Sequence, residues 1–425
     1  MNYSEAMTFI NSFTKGGKPV ADLSRFRSLC EKLGNPQDSL KFIHVAGTNG
    51  KGSIVSYCAN ILLDAGYKVG EFTSPYIYQY TERIKLNGRN IPEEELAECC
   101  EKVAAAVGDV TDYSQFEISN AIAFIYFLKM GCDFVVLETG VGGLLDSTNV
   151  VNTTIVSIIA SISEDHTAIL GGTLEKIAYQ KAGIIKSDTP VVLSAENPQV
   201  VRSVTERVAK GKNAPLFIVD ENKINSKSVN IYGNCFEYGG VEYRTALGGK
   251  YQQINAASAI EAAGILAEKD VKISRDNVLR GLMRASQPSR LEVLAEKPLT
   301  VIDGAHNPAA MLTLSQSVHD LPHPIALIIG MSSDKDWGTA AKIASEFADI
   351  AFCVDDFLPN AVSAAKLAAL FRLSAVTNCS SAYSLALEKV GTDGTIIIAG
   401  SLYLGIALGI SAKKYTNSKI TEEKI

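Results

Sequence analysis

Residues 41–53 read KFIHVAGTNGKGS, and the order of elements in this segment indicates the fold class. Its first six residues, KFIHVA, form a short apolar run that predicts a buried strand. A glycine-rich turn follows, and residues 53–65 then place apolar side chains on one face of a helix for which Gly66 offers a C-cap. The pattern predicts a strand, a loop and a helix in succession, which is typical of parallel sheets covered by helices.

The same alternation of apolar runs with helix-length amphipathic segments continues along the chain. Residues 134–137, 155–159 and 191–193 predict three further strands of one large sheet. The tripeptide Gln287-Pro288-Ser289 interrupts the pattern, and four more apolar runs follow it, at 299–302, 325–329, 350–354 and 395–399. We therefore predict an α/β fold of two domains, residues 1–287 and 288–425, with a polar tail at 411–425 that is expected to fray.

Composition limits the kind of protein. A chain of 425 residues exceeds what one hydrophobic core usually supports, and its net charge of −6 disfavours a general nucleic-acid binder. The N-terminal residues do not have the pattern of a signal peptide, and no segment reaches the roughly 18 apolar residues of a membrane span. Eight scattered cysteines without metal-ligand spacing are interpreted as reduced core thiols, so a cytoplasmic protein is expected.

The glycine-rich turn has the composition of a phosphate-binding loop. Between a strand and a helix, backbone N–H groups and the helix dipole can hold an anion, and glycines let the chain wrap closely around it. Lys51 would contact phosphate oxygens, and Ser53 would place a hydroxyl near a bound Mg²⁺. The spacing departs from the usual P-loop, because only two residues separate Gly47 from Gly50 and because Gly52 precedes the hydroxyl. The alternative is a tight turn with an exposed lysine.

Three polar residues in the first half could serve a site beside this loop. Glu138 ends the run FVVLE, where a carboxylate can hold Mg²⁺, although strands often end in an acid for solvation alone. His166 follows the run at 155–159, but a lone histidine is more often a core or surface residue unless other ligands converge on it. Lys181 lies in the mostly apolar segment QKAGIIK, where the alternative is a snorkelling lysine on a helix.

The second half contributes a loop and an arginine. Asp303 and His306, within DGAHNP, follow the run at 299–302 and put an acid and an imidazole at a sheet edge, where α/β domains place ligand contacts. The same segment would be unremarkable as a simple turn. Arg290, beside the predicted break, can reach a γ-phosphate as a planar, permanently charged donor, and a surface arginine is the alternative.

Taken together, these segments resemble the folylpolyglutamate synthase and dihydrofolate synthase branch of the Mur ligase family over nearly the whole chain. The motifs that carry the resemblance keep the family's order and spacing. They are LGNP (33–36), HVAGTNGKGS (44–53), FTSPY (72–76), ERIKLNG (82–88), FE (116–117), ETGVGGLLDSTN (138–149), DHTAILGGT (165–173), QKAGIIK (180–186), SRLE (289–292), DGAHNP (303–308), DKDW (334–337) and GSLYL (400–404).

The resemblance implies a large N-terminal P-loop ATPase domain with a mostly parallel sheet, a smaller C-terminal Rossmann-like α/β domain, and an active site in the cleft between them. It also carries roles over residue by residue. ATP would be bound by Gly47, Thr48, Asn49, Gly50, Lys51, Gly52, Ser53, Asn255, Arg290, Asp303 and His306. Mg²⁺ would be bound by Ser74, Glu138 and His166, catalysis would depend on Lys51, His166 and Lys181, and Phe116 and Glu117 would face the pterin. Lys181 matches a lysine that is carbamylated in such ligases, which turns a cation into an oxygen ligand.

Five residues depart from the family pattern. Tyr76, Leu144, Tyr251, Gln287 and Ser289 stand where His, Arg, His, Trp and Gly are common. None of these changes removes a phosphate or metal ligand. Tyr76 and Leu144 lie near the expected substrate side, so they leave open which pteridine acid is accepted.

The activity that the resemblance implies is an ATP- and Mg²⁺-dependent ligase, which adds L-glutamate to the γ-carboxylate of tetrahydrofolate through an acyl phosphate. Three alternatives stay open: a dihydrofolate synthase acting on dihydropteroate, alone or as a second activity; a ligase of the same fold acting on a nucleotide-sugar peptide; and a nucleotide-binding protein whose catalysis has decayed. The expected partners are the small-molecule substrates folate or dihydropteroate, L-glutamate and ATP. Neither nucleic acid nor membrane is expected, and a monomer is the predicted state.

Overall fold

The computed structural model describes residues 1–14 and 21–410, so the tail predicted to fray lies outside the described residues. Two compact units make up this part of the chain. The first contains residues 1–222 and 254–285, and the second contains residues 223–253 and the chain from residue 286 onward. The domain ranges 1–287 and 288–425 stay a prediction.

The first unit is built on an eight-stranded sheet in the order β4-β3-β2-β5-β1-β6-β7-β8. From β2 to β8 all neighbouring strands are parallel, whereas β3 and β4 form an antiparallel edge. The strands are β1 (Phe42–Ala46), β2 (Val69–Phe72), β3 (Ile84–Leu86), β4 (Arg89–Asn90), β5 (Phe134–Glu138), β6 (Thr154–Ile159), β7 (Val191–Leu193) and β8 (Leu216–Ile218).

Helices cover both faces of this sheet. They are α1 (Tyr3–Asn11), α2 (Ser24–Lys32), α3 (Lys51–Asp64), α4 (Glu93–Val107), α5 (Gln115–Met130), α6 (Thr167–Leu170), α7 (Leu174–Ala182), α8 (Gln199–Gly211), α9 (Tyr251–Glu268, in this unit from Ile254) and α10 (Arg275–Arg284). Strands β1 and β5 are buried at every residue, because a parallel sheet with helices on both faces has no solvent face. The loops that follow β1, β5 and β6 therefore leave the sheet at one edge, side by side.

The second unit contains two sheets. Three antiparallel strands pair in the order β11-β10-β9, and six strands pair in the order β12-β13-β17-β14-β15-β16, of which only β12 runs antiparallel to its neighbour. The strands are β9 (Ile224–Val229), β10 (Asn234–Tyr238), β11 (Val241–Thr245), β12 (Glu292–Glu296), β13 (Leu299–Ile302), β14 (Ile325–Ile329), β15 (Ile350–Cys353), β16 (Ser374–Val376) and β17 (Thr395–Ala399). The helices are α11 (Pro308–Val318), α12 (Trp337–Ala344), α13 (Ala364–Ala368), α14 (Cys379–Val390) and α15 (Leu404–Ala407).

The six-stranded sheet is buried on both faces. Along β14, Leu327 and Ile329 belong to one apolar cluster, while Ala326 and Ile328 belong to the cluster on the opposite face. This alternation follows from the two-residue repeat of a strand. The fold class predicted from the sequence, a large α/β domain with a mostly parallel sheet and a smaller C-terminal α/β domain, is confirmed.

The predicted strands agree closely with the observed ones. The run at 41–46 is β1 (Phe42–Ala46), and the runs at 191–193, 299–302, 325–329 and 395–399 match β7, β13, β14 and β17 at both ends. All eight cysteines are free and buried, as expected of core thiols. Within the described ranges, none of the helices combines the length and apolar character that crossing a membrane requires.

Candidate active site

The loop after β1 needs glycine at two positions for steric reasons. Gly50, which precedes α3, has a φ of 84°, and a Cβ atom added to it would lie 2.5 Å from Oδ1 of Asn255. A Cβ atom added to Gly47 would lie 2.7 Å from that of Ala160, just after β6. Because Gly50 has no side chain, it cannot cap α3 as Ser114 caps α5. An uncapped helix start favours an anion through its N–H groups and dipole.

The same loop is fixed to the segment that follows β6. The amide of Thr48 donates to the carbonyl of Ser161 at 2.7 Å, and its hydroxyl donates to the carbonyl of Ser163 at 3.0 Å. Lys51 donates from Nζ to the carbonyl of Thr48 at 3.2 Å. The phosphate-loop lysine is thus held over its own loop, with its side chain 15% exposed.

Glu138 and Ser74 lie together beside this lysine. Glu138, at the end of β5, is 3% exposed, and its Oε1 lies 3.8 Å from Nζ of Lys51. Its Oε2 accepts a hydrogen bond from the amide of Ser74 at 3.1 Å. The structure therefore brings together the phosphate-loop lysine and two of the three predicted metal ligands.

These residues fit Mg²⁺ as it is bound with a nucleotide. Mg²⁺ commonly takes one or two carboxylates, together with substrate phosphates and water, so one buried carboxylate next to an anion-binding loop is a suitable donor set. Over residues 1–14 and 21–410, no three His, Cys, Asp or Glu side chains cluster in a way that could hold a metal ion by themselves. His166 lies at the start of α6 with φ 49°, its side chain 38% exposed and its Nε2 3.9 Å from Oδ2 of Asp165.

Lys181 is a buried residue of this loop region rather than a snorkelling one. It is 4% exposed, and its Nζ donates to the carbonyl of Gly47 at 2.8 Å. Burial, together with the positive charge of Lys51, lowers the pKa of Lys181 from 10.5 to about 7, although Asp165 and Asp146 act in the opposite direction. Compared with an exposed lysine, the neutral amine of Lys181 is therefore favoured.

The turn after Glu138 is shaped by a carboxylate that has no predicted role. Both oxygens of Asp146 accept hydrogen bonds, Oδ2 from the amides of Gly140 at 3.0 Å and Val141 at 2.9 Å, and Oδ1 from the amide of Thr148 at 3.0 Å. Burial raises the pKa of Asp146, while these bonds favour its ionised form. The Asp-Ser-Thr order after a glycine-rich turn is a signal that could have identified this capping role.

The two predicted substrate residues have different surroundings. Phe116 is half-buried, its ring 5.6 Å from that of Phe72, and a Cβ atom at Gly140 would meet it at 2.7 Å. Glu117 is 6% exposed and accepts hydrogen bonds from Arg25 at 2.6 Å and from the amide of Ser114 at 2.7 Å. The carboxylate of Glu117 therefore caps α5 and pairs with an arginine, and its contact with substrate stays a prediction.

In the second unit, Arg290, Asp303 and His306 lie in one loop cluster. Asp303 is 6% exposed and accepts from the amide of Leu291 at 2.9 Å and from that of Ala305 at 2.8 Å. Burial raises its pKa, and the charge of Arg290 opposes the shift. Nδ1 of His306 bonds the carbonyl of Gly304 at 2.7 Å. The second unit thus gathers three of the four nucleotide contacts that were predicted outside the phosphate loop.

Comparison with known proteins supports the resemblance to Mur ligases that the sequence motifs indicated. Residues 45–263 match the Mur ligase middle domain, and residues 289–402 match the glutamate ligase domain of Mur ligases. The chain is 37% identical over 427 residues to the dihydrofolate synthase/folylpolyglutamate synthase of Bacillus subtilis, covering 94% of this chain and 97% of that protein.

Solved structures agree with the sequence relatives. The apo form of Lacticaseibacillus casei folylpolyglutamate synthase superposes with a TM-score of 0.85 at 31% identity, covering 96% of this chain and 99% of that one. FolC of Escherichia coli, in complex with DHPP and ADP, superposes with a TM-score of 0.83 at 28% identity, covering 95% of this chain and 96% of that one.

The chain belongs to the Mur ligase family and is an ATP-dependent ligase. Within the family it falls in the branch that contains the folylpolyglutamate synthases and dihydrofolate synthases, as the sequence motifs predicted.

Proposed function

We propose that this ligase adds L-glutamate to the γ-carboxylate of tetrahydrofolate, with ATP as the phosphoryl donor and an acyl phosphate as the intermediate. The observation that carries the proposal is the contact of Lys51 and Ser74 with the buried carboxylate of Glu138, beside the glycine loop at the sheet edge. The proposal is further supported by relatives that carry this activity in their names and align along nearly the whole chain.

The chemistry follows from the weakness of a carboxylate as an electrophile. An oxygen of the γ-carboxylate attacks the γ-phosphorus of ATP, the bond to the bridging oxygen breaks, and ADP leaves. The amino group of glutamate then attacks the acyl carbon, the bond to the phosphate oxygen breaks, and an amide, inorganic phosphate and a proton result. Lys51 and the start of α3 would stabilise the phosphate charge during the first step.

Four further residues are proposed to contact the nucleotide. They are Asn255, which lies beside Gly50 in the first unit, and Arg290, Asp303 and His306, which lie in one loop cluster of the second unit. Phe116 would contribute an apolar surface to the pteridine acid.

A magnesium ion and a modified lysine complete the proposed site. Glu138 and Ser74 would hold Mg²⁺ together with phosphate oxygens, with His166 as a further ligand, and the ion would supply positive charge where charge accumulates on the phosphates. Lys181 would be carbamylated, since only a neutral amine adds CO₂ and burial lowers the pKa of Lys181 to about 7. The carbamate would replace a cation by an oxygen donor next to the carbonyl of Gly47.

A dihydrofolate synthase activity is the second candidate. It is supported by the Bacillus subtilis relative, which carries both activities in its name, and by the Escherichia coli relative in complex with DHPP. The amide-forming step is the same in both reactions, so one site would serve both acids. A nucleotide-sugar peptide ligase and a decayed binding protein have no comparable support.

The test is ADP release with Mg-ATP and glutamate, compared across tetrahydrofolate, dihydropteroate and no acceptor, with Lys51→Ala as the inactive control. Release that requires tetrahydrofolate, accompanied by a glutamate-sized mass increase in the folate, is the expected result. Turnover of dihydropteroate as well would make the enzyme bifunctional. If neither acid causes ADP release in a preparation that still binds ATP, the folate assignment is contradicted.

We further propose the setting in which this ligase works. A cytoplasmic protein without nucleic-acid partners agrees with the net charge of −6 and the free cysteines. We propose in addition that it is a monomer that acts on small molecules and has no membrane partner. Light scattering and cell fractionation would test these two points separately.

A further inference from the structure

We propose that Lys186 and Asn149 are positioning residues, which hold the Gly143–Leu144 turn against the end of α7 and thereby keep Lys181 at the phosphate loop. The inference rests on the proposed function for its effect on activity, but the contacts that carry it are independent of any substrate. Neither residue belongs to the phosphate, metal or nucleotide contacts described above.

Asn149 is the bridge between the two segments. It is 6% exposed, and its Nδ2 donates to the carbonyl of Leu144 at 3.1 Å and to the carbonyl of Gly183 at 3.1 Å. The first carbonyl belongs to the turn after β5, and the second lies one residue beyond the end of α7. One side-chain amide therefore joins the loop that follows Glu138 to the helix that carries Lys181.

Lys186 determines which way this amide faces. Its Nζ donates to Oδ1 of Asn149 at 2.8 Å and to the backbone carbonyl of the same residue at 3.0 Å. An ammonium group has donors only, so it must meet the oxygen of the amide and leave the NH₂ group for the two carbonyls. A neutral side chain at position 186 would remove this constraint.

The two joined segments are packed too tightly to tolerate displacement. The amide of Leu144 donates to the carbonyl of Gln180 at 2.6 Å, and a Cβ atom at Gly183 would lie 2.5 Å from Cα of Leu144. A Cβ atom at Gly143 would lie 2.8 Å from the carbonyl oxygen of Lys181. A shift of the turn therefore moves the backbone of Lys181 itself, and with it the bond from Nζ to Gly47.

The buried ammonium group of Lys186 is unfavourable for the stability of the folded protein. Burial lowers the pKa of Lys186 to about 8, and the charges of Arg27 and Lys212 act in the same direction. Burying a charge is unfavourable unless it is paired and hydrogen-bonded, and the two acceptors of Lys186 are neutral oxygens of Asn149. Orienting Asn149 is a function that accounts for keeping a lysine at this position.

The experiment compares Lys186→Met with Lys186→Arg and with Lys212→Met. The first variant removes both bonds to Asn149, and the second keeps a donor-only cation. The third removes a positive charge from the same neighbourhood while leaving Asn149 untouched. Two quantities are measured on each folded protein: amide hydrogen exchange over residues 140–149, which does not depend on activity, and kcat and KM for the folate acid.

We expect Lys186→Met to speed exchange at the Leu144 amide and to lower kcat/KM about 10- to 100-fold, the usual scale for residues that orient a ligand-bearing group. Exchange in β14 should not change. Lys186→Arg should recover most of both losses, and Lys212→Met should behave as the wild type. Exchange and kcat/KM at wild-type values in Lys186→Met would overturn the proposal, as would equal losses in Lys212→Met.

A second variant keeps the proposal testable if Lys186→Met does not fold. Asn149→Asp gives Lys186 a carboxylate partner but removes the NH₂ donors to Leu144 and Gly183. We expect faster exchange and lower kcat/KM in Asn149→Asp even if the protein melts no earlier. If the wild type shows no activity with folates, the proposed function fails, and the exchange results still decide whether these residues position the turn.

Discussion

The phosphate-loop region of the first unit and the segment around Arg290 in the second unit differ in the source of their energetic cost, which is a buried charge in the first and the backbone conformation in the second. In the first, the left-handed backbone position falls on a glycine, Gly50, with φ 84°. In the second, left-handed positions fall on Ser289 and Leu291, with φ 54° and 45°, on either side of the arginine. The phosphate loop itself, residues 47–53, has its left-handed position on a glycine and contacts a buried cation, Lys181, whereas the segment around Arg290 has a strained backbone.

This difference shows two ways of fixing a charged side chain. Lys181 is fixed by burial and by its bond to Gly47, at an electrostatic cost that its lowered pKa reveals. Arg290 lies between two residues in the left-handed region, at a conformational cost of order 1–3 kcal/mol for each of them. Its Nη1 donates to the carbonyl of Ser289 at 3.2 Å. Substitutions at Lys181 and Ser289 can measure each cost as a change in stability, separately from any change in activity.

The largest effect is expected for Lys181→Met on activity. The substitution removes the amine that bonds the phosphate loop, and we expect kcat to fall about 10²- to 10³-fold, the scale of losing one fixed polar group at a reacting centre. Lys176→Met is the matched control, because Lys176 lies on the same helix but is exposed. Steady-state kinetics with saturating ATP checks this, and a loss below threefold would remove Lys181 from the catalytic set.

The same substitution should stabilise the protein in a pH-dependent way. The pKa of Lys181 is about 7 in the folded state, against 10.5 for an exposed lysine, so the unfolded chain binds more protons between these limits. The cost of burying the charge is therefore fully present below pH ~7 and disappears as the pH rises through ~10.5. We expect Lys181→Met to raise the free energy of unfolding by about 3–5 kcal/mol at low pH, and by much less near pH ~10.

Urea unfolding of both proteins across this pH range, in CO₂-free buffer, measures the difference. A gain that does not vary with pH would mean that the pKa of Lys181 is the same in the folded and unfolded states. A loss of stability would mean that packing of the lysine chain outweighs the burial of its charge.

Gly50→Ala should weaken ATP binding about 10- to 100-fold. An alanine at φ 84° costs roughly 1–2 kcal/mol, and its Cβ atom would also clash with Asn255 at 2.5 Å. Gly66→Ala is a close control, since Gly66 has φ 89° at the other end of α3 and no atom within 4 Å of an added Cβ atom. Calorimetric titration with ATP should show weaker binding only in Gly50→Ala, while both variants should lose some thermal stability.

The contrast between these two regions also shows which features could be predicted from the sequence. Runs such as 325–329 are apolar at every residue, so their strands are evident from composition alone, and the glycine loop is evident because it follows such a run. The polar strand β9, INSKSV, has no buried residue and no such signal, since its position depends on pairing with β10. Lys181 resembled a surface lysine because its partner, Gly47, lies 134 residues earlier in the chain. The strain at Ser289 and Leu291 is likewise visible only in the backbone.

The smallest effect is expected for Ser289→Gly, which should stabilise the protein by about 1 kcal/mol. Ser289 is fully buried in a left-handed conformation, and its hydroxyl has no hydrogen-bond partner within the described residues. Glycine relieves both costs, roughly 1–2 kcal/mol for the backbone and 1–3 kcal/mol for the hydroxyl, against the greater entropy of an unfolded glycine. Leu291→Gly relieves the same kind of backbone strain but removes a core side chain that is 2% exposed, so it should destabilise by about 2–5 kcal/mol. Opposite shifts of the melting temperature in the two variants are therefore expected. If Ser289→Gly also melts earlier, the serine must stabilise this segment through a contact that outweighs its strain, and the contrast with the glycine-built loop of the first unit would no longer hold.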